Sequence, residues 1–314
     1  MTEARRHHYV SQCYLKGFTD GRSKKSKLLV YDREARKVFA TKPSNVASER
    51  DFNRIDWEGD PNVLEKMLAN FEGDADRSLR RLDDGAPFEG QDRENILQLV
   101  ALFAIRTPRL REAWRRAQTQ LAEHVMELAL SSREMWESQV DQARENGVEF
   151  PGGTSYEEVK AFFDSKQYTI EVARERHIHL EFHAISAVLP LLFERKWWLL
   201  RATSESGPFI TSDLPVSITW DEPEKIPAPM RLSPGYAMKR TSVTFPVSQD
   251  LALLGAFEID DIPGPVPAAT QMVHAINGTS IGFAQRQMYA PKRQFSYIDG
   301  NHQVGDGRQL ERDL

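Results

Sequence analysis

Two adjacent histidines, His7 and His8, are the first residues of the chain whose chemistry could serve a reaction. Imidazole titrates near neutral pH, so the pair could act as acid and base, as metal ligands or as partners of a phosphate. Adjacent side chains of an extended segment point to opposite faces, and both therefore seldom serve one site. The alternative is one packed structural histidine and one that is exposed to solvent. Both interpretations stay open, and His8 is preferred to His7 as the functional residue.

A second segment whose chemistry could serve a reaction is Arg106–Arg109. Its sequence, Arg-Thr-Pro-Arg, ends a long apolar run. A proline within a helical pattern removes a backbone donor and clashes with the preceding turn, which predicts a kink or a break. A guanidinium at the end of an apolar run needs a partner, and a phosphate or another anion would fit. The alternative, which we favour, is a buried ion pair of Arg106 with Glu65, Glu72 or Asp213.

Ser212 and Asp213 end a predicted strand, and loops that extend from a rigid sheet often carry function. Asp213 could be a base, a metal ligand or the partner of an arginine. Ser-Asp-x-Pro is also an ordinary Asx-turn sequence, and this interpretation is preferred. The sequence contains no Gly-x-Ser-x-Gly elbow, so Ser212 is not interpreted as a nucleophile. The glycine-rich motifs of dinucleotide and P-loop sites are also missing.

Three further histidines, His177, His179 and His183, form a cluster with Glu181. His179 and His183 are four residues apart, which places them on one helix face at the spacing that zinc-binding histidines use. No glutamate directly follows His179, so the cluster differs from the His-Glu-x-x-His motif. Chance clustering on a polar face is the preferred explanation.

The elements that must position these residues include several helices. The strongest helical pattern runs from Asp92 to Ile105, and its apolar positions cover so wide an arc that we expect one of the most buried helices. The other helical patterns cover Val63–Leu82 with a break near Gly73, Trp114–Leu130, Glu171–Arg195 and Ala268–Met288.

Strand patterns lie on both sides of this helical middle. They cover Leu28–Tyr31, Val38–Thr41, Trp197–Arg201, Phe209–Thr211, Val216–Trp220, Ser242–Val247 and Leu251–Phe257. The strands do not alternate with helices, which argues against a doubly wound parallel sheet. We therefore predict the α+β class, with the helical middle packed against a largely antiparallel sheet from the C-terminal half. The N-terminal segment should be anchored in the core by Tyr9, Tyr14, Leu15 and Phe18.

The composition limits the class of protein. The 314 residues are 40% hydrophobic, enough for a sizeable core, and predict a single domain over residues 1–314 with a candidate sub-boundary at residues 146–156. The net charge of −5 shows no basic excess of the kind that indicates nucleic-acid binding, although a local patch could be hidden in it. The single cysteine, Cys13, is interpreted as a core residue and favours a reducing compartment. No segment has the pattern of a membrane span or signal peptide, so we expect a cytoplasmic protein.

The opening run from His7 to Phe18, His-His-Tyr-Val-Ser-Gln-Cys-Tyr-Leu-Lys-Gly-Phe, resembles the start of an uncharacterised bacterial and fungal family, domain of unknown function 4238. Ser11 departs from the usual proline of that run, and Leu214 stands where asparagine is common. The family has no established activity, so the resemblance implies a fold unit and no mechanism. The resemblance extends over nearly the whole chain. The further matching segments and residues are Leu29–Asp32, Glu65, Glu72, Arg106–Pro108, Phe209–Pro215, Phe245–Ser248 and Asn277.

If the matched polar residues converge in space, the resemblance implies one cleft. It would be lined by His8, Gln12, Tyr14, Arg106, Ser212, Asp213 and Asn277. The catalytic candidates are His8, Asp213 and His7, and the binding candidates are Gln12, Tyr14, Arg106, Arg109, Ser212 and Asn277. This chemistry suits a phosphate-containing ligand, with arginine for charge and with His and Asp for proton transfer or for a divalent metal.

Three functional hypotheses follow from these residues. The first is a phosphodiester, nucleic-acid or nucleotide hydrolase, as in a bacterial toxin or phage-defence effector. The second is a non-catalytic binding module that senses a nucleotide or a protein partner. In the third, the residues only brace the fold. No membrane partner is expected, and the sequence predicts neither the metal nor the oligomeric state.

Overall fold

The computed structural model describes residues 5–55, 60–148, 155–231 and 234–314. The chain divides into two compact units: unit 1 comprises Met1–Pro108 with Ile178–Leu314, and unit 2 comprises Arg109–His177. The Pro/Gly turn that marks the candidate sub-boundary at residues 146–156 lies outside the described residues. The organisation of residues 1–314 as a single domain stays a prediction.

The helices and strands below are those of the described residues. The helices are α1 (Gln12–Leu15), α2 (Val63–Asp83), α3 (Gly90–Ile105), α4 (Pro108–Ala129), α5 (Arg133–Glu145), α6 (Tyr156–Asp164), α7 (Arg174–Glu194), α8 (Thr270–Phe283) and α9 (Gly307–Asp313). The strands are β1 (Arg6–His8), β2 (Leu28–Asp32), β3 (Lys37–Thr41), β4 (Ser48–Arg50), β5 (Lys196–Arg201), β6 (Thr211–Ser212), β7 (Ser217–Trp220), β8 (Thr241–Pro246), β9 (Leu251–Ala256), β10 (Ile262–Pro267), β11 (Gln287–Ala290), β12 (Ser296–Ile298) and β13 (Val304–Asp306).

The pairing of these strands confirms the α+β class. One sheet has the order β10-β5-β9-β8-β7, in which β10 and β5 run parallel and the other described neighbours antiparallel. A second sheet, β3-β2-β11-β6, joins the predicted N-terminal hairpin to C-terminal strands by antiparallel pairs. β1 pairs with β4 and β12 with β13. The sheets are therefore largely antiparallel, as the sequence predicts.

The helix α3 is a central element of unit 1, which confirms the prediction from its wide apolar arc. Leu99 and Val100 are fully buried, and Phe103 is 2% exposed. These side chains share one core cluster with Trp197 and Phe245 of the five-stranded sheet. Full burial of such a side chain stabilises a fold by roughly 2–3 kcal/mol.

The N-terminal segment is anchored in the same core. Tyr14, Leu15 and Phe18 are fully buried, whereas Tyr9 is half-buried and packs against the core from its edge. Cys13 is also buried, and burial, with the charge of Glu72, raises the pKa of its thiol to about 11. The cysteine is thus a packed core residue, as predicted.

The predicted interruption at Pro108 is a complete break between two helices. α3 ends at Ile105, and Pro108 is the first residue of α4, where its missing N–H costs nothing. Arg106 caps α3, and its amide still donates to the carbonyl of Leu102 at 2.8 Å. The chain therefore turns immediately after Arg106 and leaves that side chain inside the fold.

The break predicted near Gly73 is wrong, because α2 runs without interruption from Val63 to Asp83. A helical glycine costs only about 1 kcal/mol relative to alanine. Leu68 and Leu79 are buried on either side of Gly73, and this apolar packing outweighs the cost. One face of the continuous helix can therefore present residues two turns apart to the same surroundings.

Two further predicted boundaries are corrected by tertiary contacts. The strand at Phe209–Thr211 shrinks to Thr211–Ser212, because the Ile210 amide donates to the Asn277 side chain at 2.9 Å and not to a neighbouring strand. The helix at Ala268–Met288 ends at Phe283, since the next residues form β11 between β2 and β6.

Two helices of unit 2, α5 and α6, begin at polar capping residues. Ser132 accepts a hydrogen bond from the amide of Met135 at the start of α5. Ser155 and Glu158 form a reciprocal capping box at the start of α6. Within the described part of the chain, no helix is both long and apolar enough to cross a membrane.

Candidate functional site

Strand β1 separates the two N-terminal histidines, as the alternation of an extended segment predicts. His7 is 1% exposed, and its Nδ1 accepts a hydrogen bond from the backbone amide of Asn53 at 2.8 Å. This contact makes His7 a packed structural residue. His8 is half-buried, so its imidazole is the more accessible of the two.

The side chain of Asn53 links His7 to two charged residues. Its Nδ2 donates to Oε2 of Glu65 at 2.5 Å, and its Oδ1 accepts from Nη2 of Arg106. Asn53 is itself 1% exposed. A single buried amide therefore joins the N-terminal segment, α2 and the end of α3.

Arg106 forms the buried ion pair that the sequence favours, but with a partner that the sequence did not nominate. Its Nε lies 3.7 Å from Oε2 of Glu181 on α7, and both side chains are almost completely buried. The guanidinium also lies over the ring of Phe52, 5.7 Å from the ring centre. This environment offsets the cost of burying the charge.

Glu65 and Glu72 are both on α2, seven residues apart, and thus share one face of the helix. Burial and the negative charge of Glu65 raise the pKa of the Glu72 carboxyl to about 7, against the opposing charges of Arg106 and Lys24. A carboxyl group with this pKa can both donate and accept a proton at neutral pH, which is the property of a general acid or base.

The charges of Glu65 and Lys24 act on the pKa of His8 as they do on the pKa of Glu72. Burial lowers the pKa of His8, although Glu65 and a hydrogen bond with the backbone of Ser44 oppose this effect. The imidazole is therefore neutral at pH 7. Its Nε2 is buried without a hydrogen-bond partner among the described residues. A buried polar atom without a partner is rare and indicates a site for a ligand or a water molecule.

The carboxylate of Asp213, also in unit 1, is bound by backbone amides. It accepts hydrogen bonds from the backbone amides of Gln285, Arg286 and Gln287 at 2.7–2.9 Å. No hydrogen bond or ion pair joins it to His8 or to Arg106 in the described parts of the chain. Asp213 thus holds the turn before β11, and the convergence of the seven predicted residues in one cleft stays a prediction.

Three other candidates also brace the fold. The hydroxyl of Ser212 accepts from the amide of Leu214 at 3.1 Å and donates to its carbonyl at 2.9 Å, which closes the expected turn. Asn277 is fully buried and bonds Ile210, Pro208 and Ser296 through backbone groups. The hydroxyl of Tyr14 donates to the carbonyl of Pro246 at 2.7 Å and also bonds Thr211.

The remaining candidates, and the histidines near Glu181 in the sequence, lie on α1, on α7 and in unit 2. Gln12 begins α1 with a half-buried side chain, and Arg109 is the first residue of unit 2, with an exposed side chain. His179 and His183 lie on one face of α7 with their Nε2 atoms 3.2 Å apart, while His177 belongs to unit 2. Among the described residues, no group of three or more His, Cys, Asp or Glu side chains could hold a metal ion.

The site that the structure assembles is therefore a polar cluster of unit 1, which we call the α2 cluster. Sequence reasoning nominated His8 as a catalytic candidate and Arg106 as a binding candidate, and both lie in this cluster. It considered Glu65 and Glu72 only as partners of Arg106. It missed Asn53 and Glu181, because nothing in their spacing indicates that they meet. The α2 cluster consists of His7, His8, Asn53, Glu65, Glu72, Arg106 and Glu181.

Comparison with known proteins assigns the chain to a family of unknown function. The model of the family described as "Protein of unknown function (DUF4238)" matches residues 6–294. The chain belongs to this family, and the match includes the α2 cluster and the five-stranded and four-stranded sheets. No curated protein and no solved structure matches the chain.

Proposed function

We propose that the protein is a hydrolase of phosphodiester bonds, acting on a nucleic acid or a nucleotide, and that Glu72 and His8 exchange the protons. The observation that carries this proposal is the carboxyl group of Glu72, whose pKa is raised to about 7 by burial and by Glu65. Perturbed carboxyl groups of this kind are concentrated at catalytic sites. The Nε2 atom of His8, buried without a described partner, supplies a second group with free capacity.

The opposite shifts of the two groups assign their roles. The lowered pKa of His8, caused mainly by burial, keeps its imidazole neutral and able to take a proton from a water molecule. The oxygen of that water attacks phosphorus, and the bond from phosphorus to the leaving oxygen breaks. The protonated form of Glu72 gives its proton to that leaving oxygen.

The other members of the α2 cluster act as positioning residues in this scheme. Asn53 holds the Glu65 carboxylate on one side and is held by Arg106 on the other. Glu65 in turn supplies the negative charge that raises the pKa of Glu72. Each of these groups is buried or half-buried, which fixes the geometry before a substrate arrives.

The biological setting is part of the same proposal. A bacterial, cytoplasmic effector, a toxin or a phage-defence protein, fits a chain with one buried free cysteine. Its partners would be nucleic acids or nucleotides. A divalent metal enters none of the proposed steps, and a comparison of turnover with and without EDTA measures whether one is required.

The second candidate function is a binding module without catalysis. The observation that favours it over catalysis is that many nominated residues already use their polar atoms in hydrogen bonds within the fold. Such residues are not available for proton transfer. This holds for His7, Tyr14, Arg106, Ser212, Asp213 and Asn277. Such a module would bind nucleotide or nucleic acid without turnover, so binding and hydrolysis must be measured side by side.

The experiment compares hydrolysis of bis(p-nitrophenyl) phosphate and of a single-stranded oligonucleotide by the wild type and by two variants. Glu72→Gln and His8→Ala should each lower turnover by at least about 100-fold, the usual contribution of a general acid or base. Glu224→Gln and His124→Ala are matched controls, because both residues are exposed. Turnover that survives both site variants contradicts the proposal, and binding of the oligonucleotide without turnover by the wild type favours the binding module.

A further inference from the structure

A basic loop lies between α1 and β2 and is not used by the acid–base scheme. It covers residues 20–27, with the sequence Asp-Gly-Arg-Ser-Lys-Lys-Ser-Lys. The amide of Ser23 donates to the Thr19 hydroxyl at 3.0 Å, and the amide of Lys25 donates to the Ser23 hydroxyl at 3.2 Å. These bonds give the loop a defined shape, although its lysines are exposed.

The basic loop forms one wall of a cleft of about 620 Å³. Five cationic side chains line the cleft against two carboxylates, Asp83 and Asp84, so the lining carries excess positive charge. The cations are Lys16, Arg22, Lys24, Lys25 and Arg80. The volume is sufficient for a small anionic group such as a phosphate or pyrophosphate.

The five cations differ in whether their charge is already neutralised. Lys16 and Arg80 both pair with Asp76, and Arg22 pairs with Asp83 and Asp250. Lys24 and Lys25 form no ion pair within the described ranges of the chain. Two adjacent lysines therefore present uncompensated charge to the cleft, which favours an anion with more than one negative charge.

The cleft and the α2 cluster are coupled through Lys24. The charge of this lysine acts on His8, on Cys13 and on Glu72. An anion held by Lys24 would thus lie within electrostatic reach of the two groups to which the proton transfers are assigned.

We propose that the basic loop is the phosphate-binding subsite of the protein, in which Lys24 and Lys25 hold the phosphate of a nucleotide or of a nucleic-acid strand beside the α2 cluster. The proposal rests on the proposed function for the identity of the substrate, but binding to the loop is independent of catalysis. Nucleotides and nucleic acids share the phosphate chemistry that two unpaired ammonium groups recognise.

The test is a calorimetric titration of the full chain with pyrophosphate at low salt. The double variant Lys24→Ala/Lys25→Ala should bind pyrophosphate about tenfold more weakly or worse, the loss that corresponds to about 1.4 kcal/mol. The matched control is Lys239→Ala/Lys292→Ala, which removes the same charge from two exposed lysines outside the cleft lining. Its affinity should stay within about twofold of the wild type, because neither of these exposed lysines lines the cleft.

Failure of this inference can be separated from failure of the proposed function. If the Lys24→Ala/Lys25→Ala variant loses affinity, and Glu72→Gln keeps wild-type pyrophosphate affinity but loses turnover, both proposals stand. If the lysine variant loses affinity while Glu72→Gln keeps its turnover, the subsite stands and the acid–base assignment fails. No pyrophosphate binding by the wild type, or equal losses in both lysine variants, overturns the subsite.

Competition identifies the source of the phosphate. Bound pyrophosphate is displaced either with a nucleoside diphosphate or with a short single-stranded oligonucleotide. Displacement by one or both supports the subsite and shows which ligand uses it. Displacement by neither contradicts the assignment of the loop to a nucleotide or nucleic-acid substrate.

Discussion

The guanidinium of Arg106 lies 3.7 Å from the carboxylate of Glu181, and neither side chain is accessible to solvent. Removal of one partner of a buried pair leaves an uncompensated charge, which typically costs about 3–5 kcal/mol. Arg106→Ala should therefore unfold the protein or lower its melting temperature strongly. The measurement is thermal denaturation followed by circular dichroism.

The control for this prediction removes both charges at once. Arg106→Met/Glu181→Leu should be closer to the wild type than Arg106→Ala, because no charge is then left buried alone. A melting temperature of Arg106→Ala equal to that of the wild type would show that solvent or a ligand compensates the pair.

The raised pKa of Glu72 predicts how stability depends on pH. Burial raises the pKa of this carboxyl from its ordinary value of 4.5 to about 7, so the folded state binds a proton that the unfolded state releases. The free energy of unfolding should fall as pH rises from about 4.5 to about 7 and then level off for this group. Glu72→Gln removes the effect and should be more stable than the wild type at pH 8 by roughly 3 kcal/mol. Chemical denaturation of both proteins at pH 4.5 and pH 8 tests this, and an equal difference at both values contradicts it.

The two histidines should respond differently to substitution. His7→Ala removes the acceptor of the buried Asn53 amide and should cost about 1–3 kcal/mol of stability. His8→Ala removes a half-buried ring whose hydrogen bond is made with the backbone of Ser44, so its melting temperature should fall less than that of His7→Ala while turnover is lost. Melting curves and turnover are measured on both variants. The reverse outcome, a stable inactive His7→Ala and an unstable active His8→Ala, would exchange their roles.

Asp213→Asn should lower the stability of the protein and leave its turnover nearly unchanged. The carboxylate accepts three backbone amides, and an amide side chain can accept with only one of its two polar atoms. The expected loss of stability is roughly 2 kcal/mol. Turnover per folded molecule, measured well below the melting temperature, should stay within a few-fold of the wild type. Loss of turnover without loss of stability would return Asp213 to the list of catalytic residues.

The assignment of acid and base predicts the pH dependence of turnover. Catalysis needs neutral His8, whose pKa burial lowers, and protonated Glu72, whose pKa burial raises to about 7. Turnover should therefore decrease above about pH 7 as Glu72 loses its proton, and it should also decrease in acid as His8 gains one. The profile is measured with bis(p-nitrophenyl) phosphate, whose own charge is constant over this range. Activity that increases steadily above pH 8 is incompatible with Glu72 as the acid.

The sequence predicts those parts of the fold in which local pattern and burial agree. α3 is predictable because its apolar positions surround the whole helix, and the end of α3 is predictable because Pro108 forbids a continuous ladder. Gly73 shows the opposite case, in which a local signal for a break is overridden by packing along α2. The short β6 is a third case, because a side chain far along the chain captures the Ile210 amide.

The candidate site is predictable only in part, for a related physical reason. A charged residue at the end of an apolar run must be compensated, so the ion pair of Arg106 follows from the sequence. The identity of its partner does not, because Glu181 approaches through the tertiary fold of unit 1 and not through spacing along the chain. The pKa of Glu72 likewise depends on burial and on neighbours from other elements. Residue types indicate what chemistry is available, whereas three-dimensional proximity selects which groups perform it.

Arg106 and Glu181 also flank the segment of the chain that forms unit 2. The polypeptide leaves unit 1 just after Arg106, forms unit 2, and returns just before Glu181. The ion pair therefore links the part of unit 1 that precedes unit 2 to the part that follows it. Because the entropy of loop closure changes slowly with length, unit 2 can be lengthened, shortened or exchanged in evolution at small cost to the folding of unit 1. We therefore expect insertions and deletions to be tolerated better in the segment from Arg109 to His177 than within unit 1.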